Sequence, residues 1–76
     1  MSTLETVQEL VADMFQISPD DVMLETDFKL DLGADELDAV ELIMAVEEEF
    51  DIAIHDEDAA NVHTVADLVE LISSKI

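Results

Sequence analysis

Two segments of this chain open with the same signature and continue at the same spacing, and that pairing limits the fold to helices. Ser2-x-x-Glu5 and Thr64-x-x-Asp67 each place a hydroxyl three residues ahead of a carboxylate, the pattern of a reciprocal helix cap. Behind the first, Leu4, Val7, Leu10, Val11, Met14 and Phe15 recur at three- and four-residue steps and stop near Gln16; behind the second, Val65, Leu68, Val69 and Ile72 do the same. Apolar residues at this period form one face of a helix. Asp35 is a third cap candidate, opening a helix that runs to about Phe50. Ser18-Pro19-Asp20-Asp21 reads as a capped single turn with proline at its first position. A short turn or helix is expected around Asp56 to Ala60. Ile52, Ala53 and Ile54 could form a brief strand, but an isolated strand has nothing to pair with.

Between Met23 and Ala34 the apolar residues Leu24, Phe28, Leu30 and Leu32 follow no helical period. We read a long loop held to the core by these side chains and ending at Gly33, the chain's one glycine. Loops of this length are uncommon in small domains and are often functional. There is no repeat, linker or low-complexity tract, so residues 1–76 are expected to form one helical-bundle domain.

Charge decides which partners such a bundle can have. Its 21 acidic and 2 basic side chains leave a formal charge of −19, yet half the residues are apolar and the mean hydropathy is +0.25. That much apolar content separates the chain from disordered acidic tracts. Phosphate backbones and anionic membranes repel it. The longest apolar run, Leu42 to Val46, is far too short to span a bilayer. Met1-Ser2-Thr3-Leu4-Glu5 lacks a basic, then apolar, leader pattern. Without cysteine there is no disulfide, thiolate metal site or thiol nucleophile. These features point to a cytoplasmic, monomeric protein.

The second helix carries two apolar faces. With Leu37 at zero and about 100° per residue, Ala39, Leu42, Ile43, Val46 and Phe50 fall between roughly 140° and 240°, the core stripe. Leu37, Val40 and Met44 fall on the opposite side, interleaved with Glu41, Glu47 and Glu48. Stray exposed apolar residues are ordinary. Three of them among three carboxylates are better read as a docking surface, on which charge steers a basic partner and the apolar groups supply contact.

Asp31-Leu32-Gly33-Ala34-Asp35-Glu36-Leu37-Asp38, followed by Val40-Glu41-Leu42, closely resembles the acyl carrier protein family. The likeness continues through Glu47-Glu48-Glu49-Phe50-Asp51, Asp56-Glu57-Asp58-Ala59 and Thr64-Val65, and so spans nearly the whole chain. It implies a right-handed, all-α four-helix bundle with a long first loop and a short third helix. It also implies a noncatalytic role in fatty acid or related synthesis, shuttling acyl thioesters on a 4′-phosphopantetheine arm. Helix two would be the recognition helix, with Leu37, Asp38, Val40, Glu41, Met44, Glu47 and Glu48 meeting basic surfaces of acyl-chain-synthesis enzymes. Family members enclose the acyl chain between helix two and its neighbours. The matching residues here are Leu42, Ile43, Val46, Ala59, Val62 and Leu68, for which plain core packing is the simpler expectation.

One position departs from the family pattern. Its attachment motif is Asp-Ser-Leu, and the matching triplet is Asp35-Glu36-Leu37. A serine hydroxyl can form a stable phosphodiester with the arm, whereas a carboxylate would form a labile acyl phosphate. The chain is therefore expected to carry no cofactor unless position 36 were serine. Glu36 could be an introduced block or a native difference; the apolar Leu30 and His55, both also unlike common members, favour a native one. A non-carrier regulatory or scaffold protein using the same helix face is the alternative.

Weaker signals carry less. Asp31, Asp35 and Asp38, with Glu47, Asp51 and Asp56, could attract divalent cations weakly, but nothing matches a calcium loop. His55 and His63 are too few for a transition-metal site. No phosphate loop or nucleophile elbow is present, and an exposed Asp35-Glu36 pair has no dry pocket for acid–base work.

A single core in a chain of this size supplies only a few kcal/mol net, and like-charge repulsion works against it. Added salt, divalent cations and mild acid are expected to stabilise the fold. The thermal midpoint, followed by circular dichroism, should rise with ionic strength; a midpoint indifferent to salt would contradict the repulsion argument.

Overall fold

The computed structural model describes residues 2–76. Four α-helices form: α1 (Thr3–Phe15), α2 (Glu36–Phe50), α3 (Asp56–Ala59) and α4 (Val65–Lys75), with a 3-10 turn at Pro19–Asp21. Among the described residues no strand forms; an isolated antiparallel bridge joins Asp27 to Thr64.

Each long helix begins with a reciprocal cap. Ser2 Oγ accepts from the Glu5 amide at 3.1 Å, and the Glu5 carboxylate accepts from the Ser2 amide at 3.2 Å. Thr64 Oγ accepts from the Asp67 amide at 3.2 Å, while Asp67 Oδ2 accepts from the amides of Thr64 and His63 at 3.1 and 3.0 Å. Asp35 opens α2 in the same way with Asp38 as its partner, a box in which two carboxylates replace the usual hydroxyl and carboxylate. These bonds satisfy amides that have no partner inside the helix. The first two helices end on left-handed residues, Gln16 at φ 58° and Asp51 at φ 54°.

The core is aliphatic. Val7 and Val11 of α1, Val46 of α2, and Val65, Leu68 and Ile72 of α4 are wholly buried, and α1 packs against both α2 and α4. Each such side chain contributes about 1.5–3 kcal/mol on removal from water. The Cα radius of gyration is 11.0 Å, close to the ~11 Å of an ordinary domain of this length.

The long connection between α1 and α2 is held differently from the sequence expectation. Phe28 is buried and Leu32 half-buried, but Leu24 is exposed and Leu30 is 82% exposed. Backbone bonds do the work assigned to those leucines. The Val65 and Ala66 amides at the start of α4 donate to the carbonyls of Thr26 and Leu24 at 3.0 and 2.9 Å, and the Phe28 amide donates to His63 O at 3.0 Å. Thr26, buried, accepts from the Met23 amide through its Oγ1 at 2.9 Å, and Gln8 Nε2 of α1 donates to Val22 O at 2.8 Å. The following turn is built by Asp27, whose Oδ1 accepts from the amides of Lys29 and Leu30 at 2.9 and 2.8 Å. With that turn closed by a carboxylate, Leu30 is not needed inside.

The Asp67 carboxyl is held below its ordinary value of 3.8 chiefly by the His63 and Thr64 amides, and the Glu5 carboxyl below 4.5 by the Ser2 amide and hydroxyl. Because the folded pKa lies below the unfolded one, this contribution is fully present above the unfolded value and is lost as pH falls through the folded one. Asp67→Asn is therefore expected to be less stable than the parent at neutral pH, with the gap closing as pH drops below about 3.8. Denaturant titrations at several pH values check this; a gap constant down to pH 2 would refute it.

Candidate functional site

The start of α2 is set by the turn before it. Asp31 and Leu32 amides donate to Asp27 O at 2.9 and 3.3 Å, and Gly33 N donates to Lys29 O at 3.1 Å. Gly33 sits at φ +67°, and nothing lies within 4 Å of where its Cβ would be, so its need for glycine is conformational rather than steric. Ala34 N then bonds Phe28 O at 2.8 Å and delivers the chain to the Asp35 cap. There Asp35 Oδ1 accepts from the Asp38 amide at 2.9 Å and Asp38 Oδ2 from the Asp35 amide at 3.2 Å. Glu36 is the first residue of the helix, exposed, and takes no part in this cap.

From there α2 presents the face expected from its periodicity. Leu37, Val40 and Met44 are 73%, 53% and 59% exposed, with Glu41 and Glu48 exposed beside them. Two of the expected docking carboxylates carry structural bonds as well. Asp38 is the cap partner just described, and half-buried Glu47 accepts from the Ile54 amide through Oε2 at 2.9 Å, tying the segment after α2 back to the helix. The sequence gives no local sign of that bond, because the two residues are brought together only by the left-handed turn at Asp51.

On its inner side α2 borders a cleft of about 380 Å³. Leu42, Ile43, Ala59 and Val62 line it, as the resemblance implies; Val46 and Leu68 do not, being wholly buried in the core. Phe15, Phe28, Ala39 and Ile54 add to its apolar wall, Val40 and Met44 of the exposed stripe border it as well, and Glu36, Asp38, Glu47 and Asp56 also reach it. Ala39 corrects the helix reading: expected in the core stripe, it is exposed at the cleft, because a methyl group near the helix start is too short to reach the α1 and α4 side chains. Among the described residues, no three His, Asp or Glu side chains converge on a metal position, and no helix is long and apolar enough to cross a membrane.

A family model described as "Phosphopantetheine attachment site" matches residues 5–72. An acyl carrier protein of the cyanobacterium Thermosynechococcus vestitus is 48% identical over 73 residues, covering 96% of this chain and 90% of that protein. The chain belongs to the acyl carrier protein family. The fold agrees: a solved acyl carrier protein from Enterococcus faecalis, whose report concerns its high thermal stability, superposes with a TM-score of 0.84 at 33% identity, each chain covered in full. Acyl carrier proteins are carriers rather than enzymes and bear a 4′-phosphopantetheine group. In this member, Glu36 at the helix start and Val40 and Met44 of the exposed stripe border the same cleft.

The division between inner and outer faces of α2 can be measured. Leu37→Ala and Met44→Ala should each change unfolding free energy in urea by no more than about 0.5 kcal/mol, whereas Leu42→Ala should cost about 3 kcal/mol. A large loss from Leu37→Ala would place that side chain inside the fold.

Proposed function

We propose that this chain, as a module spanning residues 1–76, works in acyl-chain synthesis by docking to basic enzyme surfaces through α2, and that with Glu36 it stays permanently without the arm. The proposed setting is the cytoplasm and the proposed state a monomer. One observation supports the reading: an acyl-carrier fold whose second helix exposes apolar and acidic side chains has Glu36 at the helix start, where the resemblance leads one to expect the serine.

The residues at that position do not fit the prosthetic group. The attachment is a phosphodiester and needs a hydroxyl at the start of α2. The hydroxyls of the serines lie elsewhere: Ser2 and Ser18 are engaged as caps of α1 and the 3-10 turn, Ser74 Oγ donates to Leu71 O at 2.6 Å, and Ser73 is exposed near the end of α4. Asp35 and Leu37, which flank the position, provide a cap and an exposed apolar contact and no nucleophile. The regulatory or scaffold alternative draws on this same loss, since a carrier that cannot be loaded has only its surface to work with.

The test is a mass measurement. The chain and its Glu36→Ser variant are each incubated with coenzyme A and a phosphopantetheinyl transferase. The arm is expected on the serine variant alone. Its appearance on the parent chain overturns the reading of Glu36, and its absence from both favours a scaffold that has lost transferase recognition.

A further inference from the structure

The carrier reading above is the basis for a further step: we infer that this chain competes with loaded carriers, occupying the basic docking surface of an acyl-transfer enzyme while presenting the charge of a loaded carrier and no cargo.

The charge argument begins with what a loaded carrier shows at its attachment point. A phosphodiester keeps one ionisable oxygen and so carries one negative charge, unlike a phosphate monoester, which carries nearly two at neutral pH. A glutamate carboxylate also carries one. Glu36 thus matches the modified form of a serine, whereas an unmodified serine is neutral. Its position suits that role: it is exposed in the first turn of α2, where the helix dipole favours an anion, and outside the Asp35–Asp38 cap that holds the helix start.

Of the rest of the docking face, Asp38 and Glu47 also hold structural hydrogen bonds, and the remaining residues are exposed. Leu37, Val40 and Met44 stay outside the core, with Glu41 and Glu48 beside them. The chain's own cations do little to neutralise this face. Lys75 is paired with Asp58 at 3.3 Å. Lys29 borders a shallow groove beside Glu36 together with His63, but Asp27 and Asp35 share that groove. A surface of apolar contacts ringed by carboxylates calls for a partner with basic side chains around an apolar patch. An enzyme that receives loaded carriers must offer such groups, including a cation where the phosphodiester arrives. Docked there, this chain satisfies the surface and delivers nothing, so it blocks without reacting.

The experiment uses the Glu36→Ser variant, loaded with the arm and an acyl group, as substrate for an acyltransferase that takes acyl thioesters from carriers. The unaltered chain is added as inhibitor, and the acyl-loaded T. vestitus carrier serves as a second substrate in parallel. The unaltered chain should raise the apparent KM and leave kcat unchanged. Glu36→Gln, uncharged but equal in shape, should inhibit about fivefold more weakly at low salt, and high salt should erase that difference. An unchanged KM at large excess of inhibitor, a fall in kcat at constant KM, or equal inhibition by Glu36→Gln overturns the inference. Failure of the serine variant to accept the arm strikes instead at the carrier reading beneath it, so the two failures are told apart.

Discussion

The seam between the long first loop and the start of α4 governs the geometry of the whole functional end. Four amides at a helix start lack partners within the helix, and burying them unpaired is costly. In α4 the amides of Val65 and Ala66 are taken by the carbonyls of Thr26 and Leu24, and that of Asp67 by Thr64 Oγ. The loop therefore completes the helix and the helix pins the loop. Phe28 follows the seam into the core, and its carbonyl receives Ala34 N, the last bond before the Asp35 cap. Helix α2 starts where it does because this chain of backbone bonds ends there. The seam thereby fixes the start of α2, and with it the exposed stripe of Leu37, Val40 and Met44, without any side chain at position 36.

The capped helices were legible because their signals are local. Ser2 with Glu5 and Thr64 with Asp67 form the reciprocal caps that their spacing implies, and the apolar periods give α1 and α2 to within a residue or two and the start of α4. The outward face of α2 was legible for the same reason, since helical geometry fixes which side chains share a side. What stayed hidden was non-local. Nothing near Thr26 in sequence announces Val65, and nothing near Glu47 announces the amide of Ile54. Leu24 and Leu30 were assigned to the core because an apolar residue in a loop has no period to contradict that assignment. Val46 could not be separated from Leu42 and Ile43 by pattern, because cleft and core share one stripe of α2 and differ only in what packs across from them, and Leu68 could not be placed because its setting on α4 depends on the same packing.

Stability and acidity are reconciled by division of labour among the carboxylates. Glu5, Asp35, Asp38 and Asp67 each accept backbone amides at helix starts, where the dipole favours negative charge. Asp27, Asp31 and Glu47 close turns in the same manner. These charges hold the fold together, Asp58 pairs with Lys75, and most of the others lie on the surface. An acidic carrier can thus keep a large net charge without disordering, because part of that charge takes the place of backbone partners that the connections do not provide.

Position 36 lies outside that structural set. The helix start is secured by Asp35 and Asp38 and the turn before it by Gly33 and Asp27, while Leu37, Val40 and Met44 beyond it are exposed. Exchanging a hydroxyl for a carboxylate at an exposed first helical position disturbs none of these, and the dipole there favours the added charge. A carboxylate at this position is therefore compatible with the cap, the turn and the exposed stripe as they stand. The side chain at position 36 can thus change in charge without touching the backbone bonds that start α2.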